Sequence, residues 1–249
     1  MLTIKLAGHV FAIENHYTYV EKLCRDYLTE EIAEHIIHVT EDEILAENQT
    51  GERWSYSYLE SLAVYRKITE YLLTDDILLF HCSAFSIDGT AYLFTAPSGT
   101  GKSTHARLWR QYFGNRVITV NDDKPLLAVR KDGIIVYGTP YGGKENLQNN
   151  VSAKVGGIVV LHQAPENEIR RLSAKEAYPV LLNQTYRCEQ PQGLLHTMDL
   201  VGLLSGLPVF SLGCTISTEA VELAWSALQS ATRSEPEKEG KEYSNQENR

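Results

Sequence analysis

The most constraining part of the sequence is the segment 94–104, which reads Phe-Thr-Ala-Pro-Ser-Gly-Thr-Gly-Lys-Ser-Thr. An apolar run, Thr90–Thr95, leads into it, and His105–Phe113 follows with helical spacing until Gly114. A tight loop of small residues between a buried strand and a helix suits phosphate binding, because backbone N–H groups and the positive helix end converge on one anion. The segment therefore predicts a strand, a phosphate loop and a helix, in that order.

Within this segment, individual side chains have predicted roles toward ATP and Mg²⁺. Lys102 supplies a mobile cation, Ser103 the hydroxyl that ligates Mg²⁺, and Thr104 a neighbouring hydroxyl that shares or supports that role. Ala96 stands where the general pattern has its first glycine, which is tolerated if the position needs no positive φ. A glycine-rich turn with an incidental Lys-Ser pair is the alternative, and the matching flanks disfavour it. The predicted nucleotide-binding residues are Ser98, Gly99, Thr100, Gly101, Lys102, Ser103 and Thr104.

Composition limits the classes of protein and partner. A chain of 249 residues with 43% hydrophobic content can form one large domain, or one domain with a smaller appendage. The net charge of −9 and the absence of a basic cluster argue against nucleic acid as a partner. Neither a long apolar span nor a signal peptide is evident, and the cysteines are scattered, so we expect a reduced cytoplasmic protein without a membrane partner. Cys82 adjoins His81, but an isolated cysteine in an apolar run favours a core position over a nucleophile.

The first 75 residues predict a small α+β subdomain. Leu2–Ile13 alternates like a strand, whereas Tyr17–Ile37 and Tyr56–Leu73 have helix-like apolar spacing. A polar stretch, Glu41–Trp54, separates the two predicted helices.

Residues 76–231 predict the main domain, and residues 232–249 a disordered tail, since the tail is charged and nearly free of apolar residues. A hairpin is expected over Leu127–Val136 with Asp132-Gly133 at its turn, and the fold class is mixed α+β with a mixed sheet. Predicted strands are Ile77–Phe80, Ala91–Thr95, Arg116–Val120, Leu126–Arg130, Ile134–Tyr137 and Gly157–Leu161, and later helices are Ser173–Tyr186, Leu194–Ser205 and Thr218–Ser230.

Three motifs in order, Phe80-His81-Cys82-Ser83-Ala84, the 96–104 loop and Val120-Asn121-Asp122-Asp123, resemble the core of HPr kinase/phosphorylase and its relatives. ATP-dependent phosphoenolpyruvate carboxykinases are more distantly similar and share that fold. The resemblance covers roughly residues 77–161 and implies a P-loop core of the HPr kinase/PEP carboxykinase type. It says little about the first 75 residues.

The resemblance implies that a strand-borne histidine, His81, lies near the phosphates. It also implies that one of the two aspartates serves in proton transfer and the other in metal binding. We assign Asp122 as the base, and Asp123, with Ser103, to the metal. Adjacent side chains on a regular strand point to opposite faces, so a turn after Val120 is needed for both to serve one site. An ordinary Asn-Asp-Asp turn is the alternative interpretation.

A second glycine-containing segment, Tyr137–Asn146, includes Lys144. This loop is a candidate to close over the phosphates, with Lys144 as a cationic clamp on the transferred charge. The alternative is a flexible connection with a solvated lysine.

The leading functional hypothesis is an ATP-dependent kinase that acts on a hydroxyl, expected to be a serine of a peptide or protein. The chain is similar to short HPr-kinase-related proteins, some of which accompany peptide-modifying gene clusters, and the downstream signature for HPr itself is not recognisable. Relatives form oligomers, so a homo-oligomer is an open expectation. The alternatives are a nucleotide-responsive binding module without an acceptor, and a carboxykinase-like enzyme, which the chain length disfavours.

Overall fold

The computed structural model describes residues 1–48, 51–97 and 99–234. Ser98, a predicted phosphate-binding residue, lies outside the described residues, as does the segment 235–249 of the predicted tail. The described chain is a mixed α+β structure with one small and one large sheet.

The amino-terminal region holds the small sheet. Its strands are β1 (Leu2–Leu6), β2 (His9–Glu14) and β3 (His35–His38), and its helices are α1 (Thr18–Leu23), α2 (Glu41–Ala46) and α3 (Tyr56–Leu72). The single strand predicted over Leu2–Ile13 is a hairpin, since Ala7 and Gly8 take positive φ values of 50° and 93° and reverse the chain. The helix predicted over Tyr56–Leu73 is confirmed as α3.

The long helix predicted over Tyr17–Ile37 is wrong. Helix α1 ends at Leu23, a 3₁₀ turn follows at Arg25–Tyr27, and β3 then pairs in parallel with β2. Val20, Cys24 and Tyr27 are all buried at helical spacing, so the apolar pattern continues through the 3₁₀ turn after the α-helix has ended.

The large sheet is mixed, as predicted. Within the described residues it has nine strands in the order β4-β8-β9-β10-β6-β5-β7, with β12 paired to β10 and β11 to β12. It curls around β10, which pairs with β6 along one edge and with β9 and then β12 along the other. The strands are β4 (Ile77–Leu79), β5 (Ser83–Ile87), β6 (Thr90–Thr95), β7 (Val117–Asn121), β8 (Leu126–Arg130), β9 (Gly133–Tyr137), β10 (Ser152–Gln163), β11 (Glu168–Arg171) and β12 (Val209–Cys214).

Strand β5 was absent from the sequence prediction, as were β11 and β12. All five residues of β5 are buried between β6 and β7, and its two serines mask the apolar signal of a central strand. His81 therefore lies in the short connection before β5 and not on a strand. In the β8–β9 hairpin Arg130 pairs with Gly133, so Lys131 and Asp132 form the turn, one residue earlier than predicted.

Four helices complete the fold: α4 (Lys102–Phe113), α5 (Ala174–Gln184), α6 (Pro191–Leu204) and α7 (Thr218–Ser234). Helix α4 is the predicted helix after the loop, and Gly114 ends it. Helix α7 continues past the predicted end at Ser230 into the first residues of the predicted tail.

One apolar core joins the amino-terminal region to the large sheet. Ile68 and Leu72 of α3 belong to the same buried cluster as Ile77, Leu126 and Ala128 of the large sheet. Two further clusters lie under α5 and α6 and under α4 and α7. The amino-terminal region is therefore packed directly beside the edge at which the predicted site residues meet.

Candidate functional site

Three chain segments meet because their strands are neighbours. Ala84 of β5 pairs with Asn121 at the end of β7, and Ser83 pairs with Phe94 near the end of β6. The start of β5 thus lies beside the ends of two strands that run antiparallel to it. This register brings the connection before β5, which contains His81, the loop after β6 and the turn after β7 to one edge.

The loop after β6 contains two glycines in conformations that other residues rarely adopt. Gly99 has φ +79° and Gly101 has φ +115°, and Gly101 is also the N-cap of α4. No described atom lies within 4 Å of where a side chain would begin at either glycine. The loop is therefore open on its outer side, beside the positive end of a twelve-residue helix.

Lys102 reaches back across this loop. Its Nζ donates a hydrogen bond to the carbonyl oxygen of Ala96 at 3.0 Å. Burial lowers the pKa of Lys102, and this effect outweighs those of Asp123 and Cys82, which act to raise it. Ser103 and Thr104 follow in the first helical turn, and Ser103 is exposed.

The buried side chain of Asn121 shapes the turn after β7. Its Oδ1 accepts hydrogen bonds from the backbone N–H groups of Asp123 and Lys124, both at 2.8 Å. Its Nδ2 donates to the carbonyl oxygen and Oγ1 of Thr139, both at 3.1 Å. The strand thus ends in a turn that the Asn121 side chain closes. Because of this turn, Asp122 and Asp123 both line the same cavity.

Asp123 pairs with His81. The Nε2 of His81 lies 3.1 Å from Oδ1 of Asp123, and its Nδ1 lies 3.1 Å from Oε1 of Gln184 on α5. Burial acts to raise the pKa of Asp123, but the hydrogen bond from His81 and the charges of Lys124 and Lys102 outweigh it and lower the pKa. Asp123 is therefore ionised at neutral pH.

Asp122 is held by the second glycine-containing loop. Its Oδ1 accepts a hydrogen bond from the N–H of Gly143 at 2.7 Å. The φ of Gly143 is not positive, but a Cβ on this residue would lie 2.9 Å from Oδ2 of the same aspartate, so a larger residue would displace the carboxylate. Exposed Lys144 follows, and Glu145 fastens the loop to α4 through Arg110 at 2.9 Å.

A cavity of about 650 Å³, the main cavity, unites these groups. Thr100 is the one described member of the predicted set outside it, and it lines a second cavity of about 440 Å³ that shares Gly99, Gly101 and Thr104 with the main cavity. The predicted residues in the main cavity are His81, Gly99, Gly101, Lys102, Ser103, Thr104, Asp122, Asp123 and Lys144.

Several lining residues were not predicted as site residues. Lys124 directly follows the aspartate pair, so the sequence motif around Asp122 and Asp123 could have indicated it. Tyr141, Gly142, Gly143 and Asn146 belong to the second glycine-containing segment, of which Lys144 alone was predicted as a site residue. The remaining lining residues come from the amino-terminal region, where the spacing of Tyr58 and Leu62 along one helix is the only sequence signal. The unpredicted amino-terminal residues are Tyr19, Leu23, Tyr58, Ser61 and Leu62.

Residues present at the loop suit a magnesium-bound phosphate chain. The open glycines, the cation of Lys102, the exposed hydroxyl of Ser103 and the ionised Asp123 offer the donor and oxygen-ligand types that such a group takes. Among residues 1–48, 51–97 and 99–234, no three His, Cys, Asp or Glu side chains cluster as a metal site by themselves. Over the same residues, no helix is long and apolar enough to cross a bilayer.

The chain is distantly similar in structure to a known protein. No protein-family model matches the chain, and no curated protein matches it. Among solved structures, the Hpr(Ser) kinase/phosphatase from Coxiella burnetii is similar, with 14% sequence identity, 61% of this chain and 97% of that chain covered, and a TM-score of 0.35. The relation is distant and concerns the fold alone.

Proposed function

We propose that the protein is a kinase that transfers the γ-phosphoryl group of ATP to a hydroxyl, namely a serine of a peptide or protein. The observation that supports this proposal is the main cavity, where a cationic glycine-containing loop faces the Asp122, Asp123 and His81 side chains. Phosphoryl transfer needs charge neutralisation on one side of the phosphate and an oriented, deprotonated hydroxyl on the other. The cavity contains side chains suited to both requirements.

In this proposal, the nucleotide lies across the 96–101 loop. Its phosphates bind the N–H groups of the loop and of the first turn of α4, with Lys102 as a counter-charge. The nucleoside takes the second cavity, which offers apolar contact from Leu108 and Ile216 and polar groups from Gln163 and Thr215. The terminal phosphate then faces the main cavity.

Ser103 and Asp123 would hold Mg²⁺ together with phosphate oxygens, and His81 keeps Asp123 oriented and ionised. When bound, the metal neutralises charge on the phosphate chain. Lys144 adds a cation on the outer side of the site.

Asp122 acts as the base. Its carboxylate takes the proton of the acceptor hydroxyl as the oxygen–Pγ bond forms and the bond from Pγ to the bridging oxygen breaks, which leaves a phosphoserine and ADP. The hydrogen bond from Gly143 fixes one carboxylate oxygen, so the other is available for the proton.

A γ-labelled ATP transfer assay with Mg²⁺ tests the proposal, with serine peptides and a cell lysate as acceptors. We expect label on an acceptor with the natural chain and its loss with Lys102→Ala and Asp122→Asn. Lys131→Ala and Asp132→Asn are matched controls, because they make the same chemical changes at the turn of the β8–β9 hairpin. Tight ATP binding without transfer to any acceptor would contradict the kinase and favour the nucleotide-responsive module.

A further inference from the structure

The main cavity has two chemically different walls. One wall carries the loop, the aspartates, His81 and three lysines. The part of the lining that comes from α1 and α3, here named the acceptor wall, carries no charged side chain among its described residues, which are Tyr19 and Leu23 of α1 and Tyr58, Ser61 and Leu62 of α3. The hydroxyl of Ser61 donates to the carbonyl oxygen of Tyr58 at 2.6 Å, so even this polar group is satisfied internally.

Buried contacts hold the acceptor wall in place. Glu60 of α3 is fully buried and accepts hydrogen bonds from the backbone N–H groups of His16 and Tyr17, the latter at 3.1 Å, just before α1 begins. On the inner side of α1, Val20 and Cys24 are fully buried in the shared core. The orientation of α1 against α3 is therefore set without a ligand.

One exposed aromatic ring extends the acceptor wall beyond the cavity lining. The ring of Trp54 lies 5.0 Å from that of Tyr58, and Trp54 is 47% exposed. Tyr19, on the wall itself, is 39% exposed. Exposed aromatic rings beside a cavity are typical of surfaces that bind an extended ligand.

We propose that the acceptor wall and Trp54 bind the acceptor as a peptide segment that carries an apolar or aromatic side chain beside its serine. This inference rests on the proposed kinase function. An acceptor with a phosphate or carboxylate against this wall would bury a charge without a partner, which is unfavourable. Trp54 lies beside Tyr58 but outside the cavity lining, so a chain that continues past the serine makes a contact that a small hydroxyl compound does not.

Equilibrium binding to the full chain in the presence of ADP and Mg²⁺ tests this proposal. The probes are fluorescent peptides with one central serine whose two neighbours are Leu, Phe, Gly or Glu, and an uncharged single-residue competitor, N-acetylserine amide. We expect Leu- or Phe-flanked peptides to bind roughly tenfold more tightly than Gly-flanked ones. Tyr58→Ala, Leu62→Ser and Trp54→Ala should remove this preference and leave ADP affinity unchanged.

The matched control is Tyr112→Ala, which removes a ring that is 44% exposed on α4, away from the main cavity. It should bind every peptide as the natural chain does. The inference is overturned if the flanking residues have no effect, if the wall variants bind as the natural chain does, or if N-acetylserine amide competes as well as the peptides. The label-transfer assay tests the kinase function separately. Peptide binding without label transfer would contradict the kinase function alone. Label transfer that is unchanged in the wall variants would contradict this inference alone.

Discussion

The ring of Tyr65 on α3 stacks on the ring of Tyr141, with centroids 3.8 Å apart and planes 3° from parallel. The hydroxyl of Tyr65 also donates to the carbonyl oxygen of Lys124 at 2.7 Å. Tyr141 lies in the loop that holds Asp122, two residues before Gly143, and Lys124 directly follows Asp123. One tyrosine of the amino-terminal region thus supports both segments that carry the catalytic candidates.

The two hydroxyls of this pair should differ in their contribution to stability. The Tyr141 hydroxyl is buried with no hydrogen-bond partner among the described residues, so Tyr141→Phe should be neutral or stabilising. Tyr65→Phe removes a hydrogen bond and should lower the free energy of unfolding by about 1 kcal/mol. Urea unfolding at pH 7 measures both changes. A larger loss with Tyr141→Phe than with Tyr65→Phe would contradict this reading of the stack.

The two aspartates should respond differently to magnesium. Asp123→Asn removes a metal-side charge and should raise the Mg²⁺ concentration for half-maximal transfer by roughly tenfold or more. Asp122→Asn should lower kcat by roughly 10²- to 10⁴-fold and leave the Mg²⁺ requirement unchanged. Mg²⁺ titrations of the initial rate separate the two effects. Reversed results would exchange the roles assigned to the two residues.

A methyl group at Gly143 should disturb Asp122 with little strain in the backbone. The new Cβ would lie 2.9 Å from Oδ2 of Asp122, so the carboxylate must shift, and Gly143→Ala should lower kcat while ATP affinity is retained. Gly202→Ala is the matched control, because its Cβ meets no described atom within 4 Å on helix α6. This control should stabilise the protein by about 0.5–1 kcal/mol. Unchanged kcat in Gly143→Ala would argue against Asp122 as the base.

His105 on α4 should make stability depend on pH. Burial lowers its pKa from 6.5 to about 4, while its Nε2 accepts a 2.8 Å hydrogen bond from the Trp109 indole. As pH falls from about 6.5 to about 4, His105 becomes protonated in the unfolded chain but stays neutral in the folded chain. The free energy of unfolding therefore falls over that window. The loss approaches about 3 kcal/mol and levels off below the folded pKa.

Urea unfolding at several pH values measures this loss for the natural chain and for His105→Gln, which retains a hydrogen-bond acceptor. The variant should show a smaller change across the window. His162→Gln, at a half-exposed histidine on β10, should behave as the natural chain does. An equal pH dependence in His105→Gln would show that other groups account for it.

Local sequence patterns predicted the parts of the site that depend on neighbours in the chain. The order of strand, loop and helix around Lys102 follows from residues that are adjacent in sequence. The sequence indicated that a turn after Val120 was needed for Asp122 and Asp123 to serve one site. It did not indicate that the Asn121 side chain closes this turn and also bonds Thr139, eighteen positions away. The family resemblance implied that His81 lies near the loop, but it did not indicate that Gln184 would bond this histidine from α5.

Long-range packing determines the parts of the fold and of the site that the sequence did not indicate. Tyr58 and Leu62 lie on a correctly predicted helix, yet nothing in the helical pattern indicates that α3 packs against the turn after β7. Buried β5 was missed because Ser83 and Ser86 interrupt its apolar run, and their burial is apparent only when β6 and β7 flank them. The predicted helix over Tyr17–Ile37 failed because the partner of β3 is a strand more than twenty residues earlier in the chain.

Under the proposed function, the shared apolar core limits how a preference for one acceptor could be replaced by a preference for another. Ile68 and Leu72 are buried together with Ile77 and Leu126, so the region that bears the acceptor wall is not an exchangeable module. A recombination that replaced residues 1–75 would have to preserve every one of those contacts. Under the proposed function, single substitutions at cavity-facing positions such as Leu62 would change the acceptor wall and leave that core intact.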